Sequence, residues 1–176
     1  MRDHGHEVRI VWSKFIEVRS ALRSPGFGVF HFSGHGLSSQ SDDPDKSELR
    51  LDKGEMALTP RAVPSAKSMT TNKPLVVLNA CSTAREGITL AQPTGFAHRF
   101  INAGASAFIG TCWDVTDDGA GAFARELYTR LLDGEPLGRA TRLARVAARE
   151  DGDPSWLAYA AYGHPMAVIV PDVDEG

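Results

Sequence analysis

The strongest strand pattern in the sequence covers residues 75–80, which form a continuous apolar run. Such a run is typical of a strand covered on both faces, as in a parallel sheet between two layers of helices. Similar runs alternate with amphipathic helical patterns along the chain, and this alternation predicts an α/β fold with a mainly parallel sheet. Further strands are predicted at residues 8–12, 27–32, 49–51, 107–111 and 166–170, and helices at 13–22, 94–103, 117–132 and 137–148.

The length and charge of the chain limit the kinds of protein it can be. Its 176 residues suit one domain, and we expect residues 1–176 to form a single unit. The net charge is −3, whereas a nucleic-acid-binding domain usually carries an excess of basic residues. No apolar stretch approaches the roughly 20 residues of a membrane span, so neither nucleic acid nor membrane is an expected partner.

The cysteine content and the N-terminus indicate the compartment. Cys81 and Cys112 are the only two cysteines, too few for a disulfide framework in a chain of this length. The N-terminus, MRDHGH, opens with charged residues, and no apolar run follows it as in a signal peptide. The sequence therefore predicts a cytoplasmic protein.

Two strand ends carry residues capable of chemistry. His35 follows the strand predicted at 27–32, and Cys81 follows the strand at 75–80. Because reactive groups in open parallel sheets collect at the carboxyl ends of strands, both side chains are expected at the same edge. An imidazole can hold a thiol as the nucleophilic thiolate near neutral pH. The backbone N–H groups of Gly36 and Cys81 are candidates for stabilising the oxyanion of a tetrahedral intermediate.

Three motifs resemble a known family when they are taken in order along the chain. They are HFSGHG at residues 31–36, LNACST at 78–83 and WDVTD at 113–117. Together they resemble the CHAT domain, a branch of the cysteine peptidases that includes caspases and separase. Shorter matches at residues 95–97, 103–105 and 156–159 extend the resemblance over roughly residues 26–170.

The resemblance implies a three-layer α/β/α caspase-like fold whose last strand is antiparallel. It also implies a cysteine endopeptidase, with Cys81 as nucleophile and His35 as base and acid. No cofactor is expected, and metal catalysis is not expected because His31 and His35 lie four apart on a strand and turn, without the helical HExxH pattern. No Asp or Glu lies at a spacing in the sequence that would indicate a carboxylate partner for His35, so a backbone carbonyl is expected to orient its imidazole. His31 lies on the same alternation as His35, and we favour a role in packing or hydrogen bonding over a catalytic one.

The segment at residues 113–117 resembles the part of separase that forms the pocket for the substrate side chain before the cut. Trp113, Asp117 and Asp118 are the expected substrate-binding residues, and the acids predict a preference for a basic side chain. Residues 119–121 are small where separase has further acidic residues, which departs from that pattern. Alternatively, Asp117 caps the helix that follows it.

Other interpretations stay open. The domain can be a catalytically silent interaction module or, less consistently with the polar surface loop predicted at residues 37–48, a hydrolase of small molecules. Family members often carry tetratricopeptide or other repeats, and few elements precede the His35 strand. We therefore also consider a truncated N-terminus, a fragment of a larger protein, or repeats supplied by an operon partner. Four arginines spaced three or four residues apart form either a solvated helix face or a docking surface; they are Arg139, Arg142, Arg145 and Arg149.

Overall fold

The computed structural model describes residues 10–11, 14–23, 26–37, 46–52, 56–64, 69–80, 95–149 and 153–170. The helices are α1 Phe15–Arg23, α2 Gly95–Ala103, α3 Asp117–Leu132 and α4 Leu137–Ala147. The strands are β1 Val29–Ser33, β2 Gly36–Leu37, β3 Glu48–Leu51, β4 Met56–Leu58, β5 Leu75–Asn79, β6 Ala107–Thr111 and β7 Tyr159–Gly163. Short 3-10 helices lie at Pro60–Ala62 and Pro154–Leu157.

The main sheet has four strands in the order β1-β5-β6-β7. The β1–β5 and β5–β6 pairs are parallel, and β7 runs antiparallel to β6. This confirms the predicted mainly parallel sheet with an antiparallel last strand. A second sheet of order β2-β3-β4 continues from the carboxyl end of β1. Its middle strand, β3, confirms the strand predicted at residues 49–51, whereas β2 and β4 were not predicted.

Helices cover both faces of the main sheet. Alternate residues of β5 point to opposite sides, so Val76 and Leu78 pack with Phe100 of α2, whereas Val77 packs with Leu127 of α3. Two hydrophobic cores therefore lie on opposite faces of the sheet. The first core, on the side of α2, also includes α1, and the second core, on the side of α3, also includes α4. The predicted three-layer α/β/α arrangement is therefore correct. Within the described ranges, no helix combines the length and apolarity needed to cross a bilayer.

A turn at Gly104 joins α2 to β6 in a space that excludes a side chain. Gly104 has a φ of +106°, and a Cβ there would lie 2.7 Å from the backbone nitrogen of Thr70. Glycine adopts this conformation without the steric cost that other residues incur. The turn thereby allows the segment at Met69, whose N–H donates to the Ala103 carbonyl, to pack directly against the end of α2.

The predicted final strand at residues 166–170 is wrong, because the last strand is β7 at Tyr159–Gly163. The backbone after β7 turns back onto the start of α4 instead of pairing with the sheet. There the N–H of Leu137 donates to the Ala167 carbonyl and the N–H of Gly138 donates to the Pro165 carbonyl. The apolar residues of 166–170 therefore have a strand-like pattern without a strand partner.

Two predictions for the first third of the chain fall partly outside the described residues. Ile10 and Val11, within the strand predicted at 8–12, belong to no helix or strand, and the rest of that prediction lies outside the described residues. In the polar segment predicted as a loop, Leu37 and Glu48 belong to β2 and β3, and residues 38–45 also lie outside.

Three arginines of the predicted basic stripe have partners within the chain. The Nε atom of Arg139 lies 2.9 Å from a carboxylate oxygen of Glu135. A guanidinium N–H of Arg145 donates to the Leu157 carbonyl over 3.1 Å, and the guanidinium of Arg149 lies 5.3 Å from the ring centroid of Trp156. The stripe is therefore engaged in part with the protein's own surface, and the docking surface stays a prediction.

Candidate functional site

The register of the two parallel strands aligns the residues that precede the two candidate catalytic positions. Ser33 of β1 lies opposite Asn79 of β5, and the N–H of Gly34 donates to the Asn79 carbonyl over 3.3 Å. His35 is two residues beyond Ser33, and Cys81 is two residues beyond Asn79. Neighbouring strands lie about 4.8 Å apart. Cys81 is the first residue of the range 81–94, which lies outside the described residues.

His35 is exposed, and its backbone is anchored to the second sheet. Its carbonyl accepts a hydrogen bond of 2.8 Å from the N–H of Arg50. Gly36 follows it, is buried and lies opposite Leu49 across the antiparallel pair. The His35 carbonyl points towards β3, and the backbone groups of successive residues in an antiparallel strand alternate in direction. The N–H of Gly36 therefore points away from β3. The predicted oxyanion donor is thus directed out of the second sheet.

His31 contacts the α3 layer. Its Nδ1 lies 2.6 Å from the hydroxyl oxygen of Tyr128. The ring is open at the edge of the sheet but covered on the side of Tyr128, and this burial lowers the pKa of His31 below its ordinary value of 6.5. Burial also raises the pKa of Tyr128, so its hydroxyl stays protonated and can donate to a neutral imidazole. The contact provides the kind of hydrogen bond expected of a structural histidine.

Sequence reasoning missed a buried hydrogen-bond network at the end of β5. The Asn79 side chain donates to the Ala120 carbonyl of α3 over 3.1 Å and accepts from the Tyr159 hydroxyl over 2.9 Å. A polar residue within an otherwise apolar buried strand was the available signal, because buried amides usually have hydrogen-bond partners. The network ties the strand that leads to Cys81 to both α3 and β7.

The predicted substrate-binding residues lie just before α3 and in its first turn, and all of them are exposed to solvent. Trp113 is 41% exposed, and Asp117 and Asp118 are exposed in the first turn of α3. The residue that caps this helix is Thr116, whose hydroxyl accepts from the N–H of Gly119 over 3.2 Å. The N-cap position thus belongs to Thr116, while Asp117 lies in the first turn, where a negative charge favours the helix N-terminus.

A polar cluster formed by Thr116, Asp153 and Ser155 fixes this segment to the 3-10 helix before β7. The Thr116 hydroxyl donates to Asp153 over 2.8 Å, and the Thr116 N–H donates to the Ser155 hydroxyl over 3.0 Å. Asp153 also accepts from the N–H and hydroxyl of Ser155. A Cβ on Gly119 would lie 3.1 Å from the Ser155 Cβ, so a glycine in the first turn of α3 keeps the two elements close.

The polar cluster predicts a specific loss of stability in acid. Hydrogen bonds from Ser155 and Thr116 lower the pKa of Asp153 below its ordinary value of 3.8. Folding therefore favours the ionised carboxylate of Asp153. The stability that this adds to the folded state is present above pH 3.8 and is lost as the pH falls through the lowered pKa. We expect Asp153→Asn to lower the thermal unfolding midpoint at pH 7 and to have a smaller effect at pH 2. An equal effect at both pH values would show that the charge of Asp153 is unimportant.

Comparison with known proteins gives the family and the fold. A profile of the CHAT domain matches residues 13–166. The crystal structure of gingipain R (RgpB), an Arg-specific cysteine proteinase, aligns with a TM-score of 0.62 at 16% identity over 92% of this chain and 37% of that chain. A structure described as a protease aligns with a TM-score of 0.46 at 18% identity over 85% of this chain and 36% of that chain. No curated protein is similar enough in sequence to match.

These comparisons agree with the architecture described above. At 16% identity, the similarity to gingipain R concerns the fold, which is the caspase-like α/β fold, and this chain spans little more than a third of that protein's length. The profile match, in contrast, extends from the start of α1 to beyond β7 and covers most of the chain. The protein therefore belongs to the CHAT domain family.

Proposed function

We propose that this protein is a cysteine endopeptidase in which Cys81 is the nucleophile and His35 is the general base and acid. The observation that supports this most is the register of β1 and β5, in which Ser33 lies opposite Asn79, each two positions before a member of the proposed dyad. Chemistry on open parallel sheets collects at this edge. Membership of a family with a caspase-like peptidase fold adds to the argument.

The proposed reaction proceeds through a thioester. His35 takes the thiol proton of Cys81, and the thiolate attacks the carbonyl carbon of the scissile peptide bond. The oxyanion of the tetrahedral intermediate accepts hydrogen bonds from the N–H groups of Gly36 and Cys81. His35 then donates its proton to the departing amine, and a thioester remains. Water attacks this thioester with His35 as base, which releases the carboxylic acid product and restores the thiol.

The exposure of the described site residues favours a polypeptide over a small molecule as substrate. His35, Trp113 and Asp117 are all exposed, so the sheet edge is open to a chain that passes across it. Pockets for small molecules usually enclose most of the ligand surface. An endopeptidase therefore fits this edge better than a small-molecule hydrolase does.

A positional-scanning peptide assay tests the proposal. We expect the wild-type protein to cleave a subset of peptides and Cys81→Ala to cleave none of them. Equal cleavage by both proteins would come from a contaminant or from another residue, and would contradict the proposed nucleophile. Absence of cleavage by a folded wild-type protein would favour the alternative function, a silent interaction module.

The preference for the residue before the cut is proposed to be basic, with Asp117 as the specificity residue. A carboxylate can pair with an arginine side chain in a bidentate manner. Because Asp117 is exposed, the pair is worth about 1 kcal/mol at most, which corresponds to roughly fivefold. We therefore expect Asp117→Asn to reduce the ratio of kcat/KM for arginine over norleucine peptides by about fivefold.

Asp118→Asn is the matched control for this prediction, since Asp118 is the next residue and is also exposed. It removes the same charge from the first turn of α3, so it reports any general electrostatic effect. We expect it to leave the arginine preference largely unchanged. If Asp117→Asn keeps the full preference, or if Asp118→Asn alone loses it, the assignment to Asp117 is wrong.

A further inference from the structure

A side-chain hydrogen bond spans two strands at the residue before the proposed nucleophile. The hydroxyl of Thr111, at the end of β6, donates to the Ala80 carbonyl over 2.6 Å. Both residues are buried, with 0% exposure for Thr111 and 2% for Ala80. This carbonyl belongs to the peptide group that joins residues 80 and 81, so the Thr111 hydroxyl holds the backbone at the point where the chain enters the proposed site.

The direction of this carbonyl follows from the sheet. The Asn79 carbonyl points towards β1, where it accepts from the N–H of Gly34. Successive carbonyls of a strand point to opposite sides, and the Ala80 carbonyl accordingly points towards β6, where Thr111 binds it. In a planar trans peptide the N–H is directed opposite to the C=O. The β1 side, opposite to the direction of this carbonyl, carries His35 and Gly36.

We infer that Thr111 is a positioning residue for the oxyanion site, an inference that rests on the proposed peptidase function. By holding the Ala80 carbonyl, its hydroxyl fixes the peptide plane whose N–H serves as the second oxyanion donor beside that of Gly36. Donors of this kind must be oriented before the reaction, because reorientation during it costs free energy. In this role Thr111 acts through the Ala80 carbonyl.

A structural role alone gives a different outcome from a positioning role. Threonine is common in strands for reasons of packing, and a buried carbonyl without its partner lowers stability in any protein. A structural defect would change folding and every reaction of Cys81 together. A misplaced oxyanion donor, in contrast, slows amide hydrolysis selectively, because alkylation of Cys81 by iodoacetamide passes through no oxyanion.

The experiment compares Thr111→Val, which keeps the shape but removes the hydroxyl, with Thr111→Ser, which keeps the hydroxyl. We expect Thr111→Val to lower kcat for peptide cleavage by about tenfold or more, with KM changed less than twofold. The rate of Cys81 alkylation should also change less than twofold. Thr111→Ser should restore kcat to within about threefold of the wild type. Circular dichroism on each variant reports the folded fraction, by which the rates are normalised.

The control is Tyr159→Phe, which removes a neighbouring buried hydrogen bond to Asn79 without touching the Ala80 carbonyl. It should lose stability without the selective loss of kcat. Unchanged kcat in Thr111→Val, or an equal loss of kcat and alkylation rate, overturns the inference while the peptidase function stands. If the wild type shows no cleavage that depends on Cys81, the proposed function itself fails and the inference fails with it.

Discussion

Replacing Cys81 by alanine is expected to lower kcat for peptide cleavage by about 10⁴-fold or more, and His35→Ala should have a similar effect. The two side chains act as a unit in the proposed mechanism, since one supplies the nucleophile and the other moves its proton. The kcat of the double variant should therefore be no lower than that of the less active single variant. Steady-state kinetics on the best peptide from the positional scan measures all three.

Cys112→Ala is the matched control for the loss of a thiol. Cys112 is half-buried, packs against the first core and comes directly after β6. Its replacement should leave kcat within about threefold of the wild type, because no step of the mechanism uses it. If His35→Ala retained more than about a tenth of the activity, the imidazole would not be the general base, and the dyad would be wrong.

Phe100→Ala is expected to lower the free energy of unfolding by about 3–5 kcal/mol, because it leaves a cavity in the first core. Phe100 is fully buried in α2, and its ring lies 6.1 Å from each of the ring centroids of Phe30 and Phe108. It therefore joins α2 to both an edge strand and a central strand of the main sheet. A loss of this size is a large fraction of the stability of an ordinary domain.

Urea unfolding followed by circular dichroism measures this loss. Ile16→Ala is the control, since Ile16 lies on α1 and is 79% exposed. A surface substitution of this kind should change the free energy of unfolding by about 0.5 kcal/mol or less. A similar small change for Phe100→Ala would contradict the packing of α2 against the sheet.

The central strands and the long helices could be predicted from the sequence because their patterns are local. The segments of β5, β6 and α3 combine continuous apolar runs or a clear helical period with burial on the expected faces. The final strand was not predictable in the same way. Residues 166–170 are more apolar than Tyr159–Gly163, yet it is the latter segment that pairs with β6.

In the candidate site, too, the features that depend on local patterns could be predicted, whereas contacts between distant residues could not. The placement of His35 and of the end of β5 follows from local strand patterns and from the rule that reactive groups collect at carboxyl ends. The hydrogen bonds of Thr116 to Asp153 and of Asn79 to Tyr159 join residues 37 and 80 positions apart. Such contacts depend on how distant elements pack, so the sequence signals at most that the buried Asn79 has a partner, and not which residue it is.

The distance between the Cys81 sulfur and the nearer ring nitrogen of His35, measured in a crystal structure of the protein, tests the proposed dyad most directly. The register of β1 and β5 predicts a separation of about 6 Å or less, which allows for the loose geometry of sites without substrate. A separation beyond about 10 Å in a well-ordered site would contradict the dyad, because no proton could pass directly between the two groups.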